Sequence, residues 1–314
     1  MEYITGKKEF QIPEPTVVTI GKFDGRHRGH QKLMAEVRRL GEQYGYKTGV
    51  FTFATAPGAV VGGAPLKVIT TNEERRANLA KTGIDYLVEY PFDSQVSHMD
   101  PEEFVRVILM GRMNGRAIVA GTDCGFGYKR AGNAELLKAL AVKYGFTAEI
   151  IEKEQDCCRD ISSTYVKEML DKGCMEKANE LLGQPYAVHG TVVHGKGMGD
   201  RKLGFPTANL IPPPEKYLPA FGVYVSRVTA GDKTYSGVTN IGRKPTIEGD
   251  NPVGVETFLL DYHGDLYGQY IEVCLLKQLR PEKKFASLEE LKAQIGRDKA
   301  NAAAYWKSCG ESES

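Results

Sequence analysis

Thr19-Ile20-Gly21-Lys22-Phe23-Asp24-Gly25-Arg26-His27-Arg28-Gly29-His30 leaves a β-branched run, Val17–Ile20, and enters a segment where Leu33, Met34, Val37 and Leu40 recur at helical spacing. The stretch therefore reads as strand, glycine-rich turn and helix start. Glycines at 21, 25 and 29 permit a tight turn and a close approach of backbone to ligand. A helix start offers free N–H groups and the positive end of a dipole, which suits phosphate. His27 and His30 are three apart, so both can face one anion and donate to it during phosphoryl or nucleotidyl transfer. The plainer alternative is a glycine-rich turn with two solvent-facing histidines. The HxGH spacing in this strand–turn–helix setting favours the phosphate site.

Outward from this stretch, strand-like runs alternate with helical patterns up to about residue 182. Gly49–Phe53, Tyr86–Val88, Ala117–Ala120 and Ala148–Ile151 are short and apolar. Between them, Thr71 with Glu74 spells a capping box, and Asp100-Pro101 with Glu103 spells another helix start. Such alternation predicts a parallel sheet covered on both faces, binding its ligand at the carboxyl ends of the strands. Two further stretches of this half fit an anion site. Ile161-Ser162-Ser163-Thr164-Tyr165-Val166-Lys167 sets three hydroxyls at a helix start with a lysine one turn in. Gly121-Thr122-Asp123-Cys124-Gly125-Phe126-Gly127-Tyr128-Lys129-Arg130 follows the fourth strand; Asp123 suits a ribose hydroxyl or a cap, and Arg130 a phosphate, although spacing alone gives only a turn.

After Leu181-Leu182-Gly183 the rhythm changes. Val188–His194, Phe205–Leu210, Val223–Val228, Tyr235–Ile241, Glu256–Leu260 and Ile271–Leu276 are strands punctuated by Gly, Pro and Asp, which predicts an antiparallel barrel or sandwich. A last helix starts at Ser287, with Glu290 completing its cap, and runs toward Trp306. The boundary falls near 183–186. In Leu203-Gly204-Phe205-Pro206-Thr207-Ala208-Asn209, Thr207 and Asn209 point to one face of a strand. A hydroxyl and an amide oxygen side by side are hard donors of the kind Mg²⁺ accepts, with ATP phosphates completing its shell. The glycines from Gly195 onward allow backbone N–H groups to approach those phosphates. Glu256, an acid in an apolar strand, reads by itself as a solvent-facing position or as a proton acceptor at a barrel mouth.

The 314 residues suffice for two domains. With 41 Lys+Arg against 40 Asp+Glu, the net charge of +1 argues against holding nucleic acid or an anionic membrane by a bulk positive field. Met1–Phe10 is polar and mixed in charge, unlike a secretory leader, and the uncharged stretch Thr48–Leu66 is broken by Pro57, Pro65 and glycines. Cysteines 124, 157, 158, 174, 274 and 309 form no CxxC pair and no zinc-like pattern with the histidines. A cytoplasmic protein with reduced thiols is the expected setting.

The HxGH stretch resembles the nucleotidyltransferases related to class I aminoacyl-tRNA synthetases. GKFDGRHRGH, TTNEERRANL, AGTDCGFGYKRAG, ISSTYVK, LGFPTAN, NIGRKPT, VETFLLDYHGDLYG and RPEKKFASLEELKAQI together, in order and over nearly the whole chain, resemble the bacterial bifunctional riboflavin kinase/FMN adenylyltransferase family. The resemblance implies a Rossmann-like adenylyltransferase domain over 1–184 and a riboflavin kinase β-barrel with a C-terminal helix over 185–314. It implies riboflavin, FMN, FAD and ATP as ligands and Mg²⁺ as cofactor. In the kinase, Thr207 and Asn209 would bind Mg²⁺-ATP beneath the loop Gly195–Gly204, and Glu256 would take the proton of the ribityl 5′-hydroxyl. In the adenylyltransferase, His27, His30, Ser162, Ser163, Thr164 and Lys167 would position and neutralise phosphates, with Gly21, Phe23, Asp24, Gly29, Asp123, Gly127 and Arg130 completing the ATP pocket. The chain departs from the family pattern in three places. Thr52–Pro57 lacks the first proline of a T-F-x-P-x-P turn, Cys124 replaces an aromatic as a packing change, and Asp200 lies in a longer kinase loop. The first departure motivates an alternative, an active kinase with weak adenylyl transfer. A flavin-binding regulator and another HxGH-class transferase, such as one acting on pantetheine phosphate, are disfavoured by Glu256 and by the second domain.

Overall fold

Val17, Val18, Val50, Phe51, Leu87, Val88, Ile118 and Val119 are each no more than 2% exposed. Consecutive residues of a strand point to opposite faces, so burial of both members of each pair means that both faces of the sheet are covered. The sheet comprises β1 (Glu2–Thr5), β2 (Thr16–Ile20), β3 (Lys47–Phe53), β4 (Tyr86–Tyr90), β5 (Gly115–Gly121) and β6 (Thr147–Ile151). Their order is β1-β4-β3-β2-β5-β6, and every neighbouring pair is parallel. This computed structural model describes residues 1–55, 66–194, 207–243, 253–260, 262 and 264–310.

Each face has its own helices. On one, Met34, Val37 and Leu40 of α1 (Arg28–Tyr44) and Leu79 of α2 (Asn72–Ala80) pack with Val17, Val50, Leu87 and Val119. On the other, Phe104, Ile108 and Leu109 of α3 and Leu137 and Leu140 of α4 (Ala134–Tyr144) pack with Val18, Phe51, Val88 and Ile118. Helix α3 begins as Pro101–Glu103, with Asp100 as its cap, and continues with wider π-type turns over Phe104–Arg112. The capping box at Thr71 and Glu74 is formed. Since β3 and β5 flank β2 on opposite sides, the strand order reverses there and opens a crevice at the carboxyl ends of β2 and β5. The one sheet strand absent from the sequence reading is β1, which pairs with β4 at the edge. It is pinned by the Tyr3 hydroxyl donating to Glu89, a fully buried carboxylate that also holds Arg75 at 2.5 Å and Arg76 at 2.8 Å.

A two-residue-per-strand hairpin, β7 (Gln155–Asp156) and β8 (Arg159–Asp160), precedes α5 (Ser163–Asp171) and α6 (Met175–Leu182). Six antiparallel strands follow: β9 (Tyr186–Thr191), β10 (Ala208–Leu210), β11 (Gly222–Ala230), β12 (Lys233–Arg243), β13 (Val253–Leu259) and β14 (Tyr270–Pro281), ordered β10-β13-β12-β11-β14-β9. The choice between sandwich and barrel is decided at the two edges. Val193, just past β9, donates its N–H to the Asn209 carbonyl of β10 at 2.9 Å, so the sheet closes on itself as a barrel. Helix α7 (Leu288–Ser308), capped by Ser287, lays Ala302 and Trp306 on Val225.

The chain divides into two compact units, Met1–Ser163 and Thr164–Ser314. The change from helices to strands comes later, after Leu182. Helix α6 groups with the barrel because Asn179 donates to the Leu275 carbonyl at 2.8 Å and accepts the Tyr186 N–H at 2.7 Å.

Arg280 of β14 donates through Nε and Nη2 to Asp298 of α7, at 3.0 and 2.9 Å, and Asp298 is only 3% exposed. Removing one partner of such a pair strands the other charge. Asp298→Ala is expected to cost about 3 kcal/mol, read as a fall in the urea midpoint of the barrel unit.

Candidate active sites

The turn after β2 is built from residues in left-handed conformations: Phe23 (φ 50°), Gly25 (φ 84°) and Arg26 (φ 45°). Phe23 sits in the core among Val17, Met34 and Val37, which fixes the turn to the sheet. Asp24 then ties three segments together. Its carboxylate accepts the N–H groups of Ile69 (2.6 Å) and Thr70 (3.1 Å), and its carbonyl accepts the Ser163 hydroxyl (2.8 Å). Gly25 N–H donates to the Thr70 hydroxyl at 3.0 Å.

His27 caps α1 by position, yet its side chain makes no capping bond. Instead its ring stacks on that of His30, with centroids 3.7 Å apart and planes 23° apart, and Phe23 meets His30 edge-on at 5.2 Å. The absent Cβ of Gly29 makes room, since it would lie 3.2 Å from His27 Nδ1. His27 is 7% exposed, and the Nδ1 atoms of both histidines are buried with no hydrogen-bond partner. Burial drives the His27 pKa down to about 4, only partly opposed by the Asp123 carboxylate. Burial, and then the neighbouring His27, drives that of His30 well below the usual histidine value. At neutral pH the pair is therefore uncharged, each ring carrying one N–H donor and one acceptor. Two orphaned imidazole nitrogens beside a free helix N-terminus suit the oxygens of a polyphosphate.

The other residues expected here divide into groups. Gly21 places a missing Cβ 3.0 Å from the Phe23 ring, and Gly127 (φ 70°) lies where a Cβ would be 2.6 Å from the Pro101 backbone. Asp123 is exposed and 3.4 Å from Lys153. Arg130 donates to the Asp123 carbonyl at 3.3 Å and folds over Gly125. Cys124 packs beside the Phe104–Phe126 cluster, as a packing change would. Ser162 is half-buried, and the Ser163 hydroxyl is engaged with Asp24. Thr164 and Lys167 belong to the barrel's unit, where the Lys167 ammonium lies 5.1 Å over the Tyr217 ring. Arg28, paired with Glu154 at 2.8 Å, and the half-buried Arg26 add positive charge that the sequence reading passed over. The RHRGH run carried that signal.

In the barrel unit, register sets Asn209 of β10 opposite Glu256 of β13, and Asn240 of β12 opposite the same glutamate. The Thr207 hydroxyl donates to Glu256 Oε1 at 2.8 Å, and the Asn209 amide donates to the Thr207 hydroxyl at 3.3 Å. Glu256 Oε2 has no hydrogen-bond partner among the described residues. Gly195, Asp200, Gly204 and the Ala56–Pro57 part of the altered turn lie outside the described residues.

The FAD synthetase family model matches residues 9–165, and the riboflavin kinase family model matches residues 182–306. A bifunctional riboflavin kinase/FMN adenylyltransferase of Escherichia coli (strain K12) is 38% identical over 299 residues, 93% of each chain. The chain belongs to the bifunctional riboflavin kinase/FMN adenylyltransferase family. Members from Listeria monocytogenes and Bacillus subtilis are 33% and 34% identical, over 92% or more of this chain and 92% of each of theirs. A crystal structure described as a macrolide-efflux protein from Streptococcus pneumoniae is similar over 96% of this chain and 98% of its own, with 31% identity and a TM-score of 0.86. Among the described residues here, no helix is long and apolar enough to cross a membrane.

Thr207, Asn209 and Glu256 bring three kinds of oxygen together where a riboflavin kinase implies a metal ion. Hydroxyl, amide and carboxylate oxygens are hard donors, and no histidine or thiol lies among them. The set fits a Mg²⁺ ion that takes its remaining ligands from water and phosphate.

The histidine pair has a consequence for stability. Both folded-state pKa values lie below the unfolded value of about 6.5, so between pH 6.5 and 4 the unfolded chain binds more protons and stability falls as pH falls. Above that window the pair has no effect. His27→Gln is expected to flatten this slope, as measured by denaturant midpoints at pH 7 and 4.5.

Proposed function

We propose that the barrel half, residues 185–314, transfers the γ-phosphate of ATP to riboflavin, and that the parallel-sheet half, residues 1–184, transfers AMP from a second ATP to the resulting FMN. What supports the reading is that one chain holds both kinds of site. One is a carboxylate held by a hydroxyl at 2.8 Å, its other oxygen without a partner among the described residues, and the other is a neutral histidine pair at a helix start with both Nδ1 atoms buried.

In the kinase step, Glu256 Oε2 accepts the proton of the ribityl 5′-hydroxyl as that oxygen bonds to the γ-phosphorus and the bridge to the β-phosphate breaks, giving FMN and ADP. Thr207 orients the carboxylate through Oε1. Thr207 and Asn209 would hold Mg²⁺, which when bound offsets phosphate charge. In the adenylyl step, an oxygen of the FMN phosphate attacks the α-phosphorus and pyrophosphate leaves, giving FAD. That nucleophile is already anionic, so no base is needed. His27 and His30 donate to the phosphates, Arg28 and Arg130 offset their charge, and Ser162 with the α1 start supplies further donors. Asp123 takes the ribose. The six free cysteines accord with work in the reducing cytoplasm.

Purified protein with riboflavin and Mg²⁺-ATP is expected to yield both FMN and FAD, resolved by chromatography. Accumulation of FMN alone would replace the bifunctional reading with an active kinase and a weak adenylyl site. Glu256→Gln is expected to slow FMN formation by about 10²–10⁴-fold while leaving FMN-to-FAD conversion intact. His30→Ala is expected to do the reverse. Loss of both activities in either variant would contradict two separate sites.

A further inference from the structure

Cys157 and Cys158 are adjacent, both exposed, and both free. They are the two loop residues of the β7–β8 hairpin, where Asp156 pairs with Arg159. Cys157 has a φ of 54°, the left-handed conformation usually left to glycine. No other pair of cysteines in the chain is adjacent. A two-residue turn restricts both side chains to one short arc at the hairpin tip, with solvent on the outer side.

Adjacent α-carbons lie about 3.8 Å apart across a trans peptide, closer than the roughly 4.4–6.8 Å that an unstrained disulfide spans. A direct sulfur–sulfur bond is thus disfavoured, whereas a third atom between the sulfurs lengthens the bridge and relieves the mismatch. Among the described residues, no cluster of three or more His, Cys, Asp and Glu side chains supplies the further ligands a tetrahedral metal ion would require. A soft centre satisfied by two thiolates is what remains. We propose that Cys157 and Cys158 form a bidentate site for trivalent arsenicals of the type R–As=O. Two As–S bonds form, the oxygen leaves as water with the two thiol protons, and arsenic keeps its oxidation state.

The hairpin is wired to the adenylyl site on both flanks. Before it, Lys153 pairs with Asp123 at 3.4 Å and with Asp160 at 3.1 Å, and Glu154 pairs with Arg28 of α1 at 2.8 Å. After it, Ile161 N–H returns to the Glu154 carbonyl at 2.9 Å, and Ser163 reaches Asp24 at 2.8 Å. An arsenical that clamps the turn therefore shifts residues that hold the histidine loop. This coupling rests on the adenylyl reading above; the binding itself does not.

The test uses the full chain and phenylarsine oxide. Intact mass is expected to show one adduct that survives excess 2-mercaptoethanol and is released by 2,3-dimercaptopropanol, and that is lost in both Cys157→Ser and Cys158→Ser. An adduct that persists in those variants, or that a monothiol removes, overturns the site, because the exposed Cys174 and Cys309 can give only single-thiol adducts. FMN-to-FAD conversion by the labelled protein is expected to fall about tenfold, with riboflavin phosphorylation unchanged and the serine variants insensitive. Full adduct with undiminished FAD formation overturns the coupling. Absence of FAD formation before labelling counts against the adenylyl reading and leaves the mass result to judge the site.

Discussion

The adenylyl half depends on one carboxylate. Asp24 lies in a turn whose residues are held at positive φ, a conformation that costs on the order of 1–3 kcal/mol per non-glycine residue. Its bonds to Ile69, Thr70 and Ser163 over-determine that turn from two distant parts of the chain. Once the turn is fixed, Phe23 enters the core, the chain leaves β2 in the direction that starts α1, and His27 arrives beneath His30. The acid that the family resemblance placed in the ATP pocket acts here as the joint of the loop that carries the histidines.

Stacking two imidazoles at 3.7 Å is tolerable only if they are not both protonated, because two adjacent imidazolium ions would repel each other in a medium that screens poorly. Desolvation ensures this. The pair thereby supplies directed hydrogen-bond donors, while net positive charge comes from the arginines and lysines around it. That division leaves the local charge near the helix start unchanged across the neutral pH range.

Much of the architecture was legible because it rests on local pattern. The apolar runs of β2 to β6 cannot be solvated, the caps at Thr71, Asp100 and Ser287 are short-range, and the change of rhythm after Leu182 marks the move from helices to strands. What escaped depends on long-range pairing. Tyr-Ile-Thr in β1 favours a strand but is too short a run to stand out by itself; its place at the edge depends on pairing with β4, where Tyr3 meets Glu89 and Arg76. The barrel was distinguishable from a sandwich only through the bond between Val193 and Asn209. Spacing alone left Glu256 as a solvent-facing position or a proton acceptor, since its partner Thr207 lies far away in sequence. Likewise, nothing around Asp24 announces that its carboxylate reaches Ile69.

The two half-sites differ in the way their reactions require. An alcohol is a poor nucleophile at neutral pH and must lose its proton as it attacks, so the kinase half has to provide a basic oxygen that is both oriented and accessible. Under the kinase reading Glu256 suits that task, with one oxygen fixed by Thr207 and the other without a hydrogen-bond partner among the described residues. A phosphate monoester is already anionic, so a base in the adenylyl half would only add repulsion toward the incoming flavin phosphate. There the fold instead stacks two neutral imidazoles at a helix start, with both Nδ1 atoms buried, and keeps Asp24 occupied with backbone N–H groups. The same residue type, a carboxylate, keeps one oxygen without a partner among the described residues of the barrel unit and is tied down by backbone N–H groups in the parallel-sheet unit.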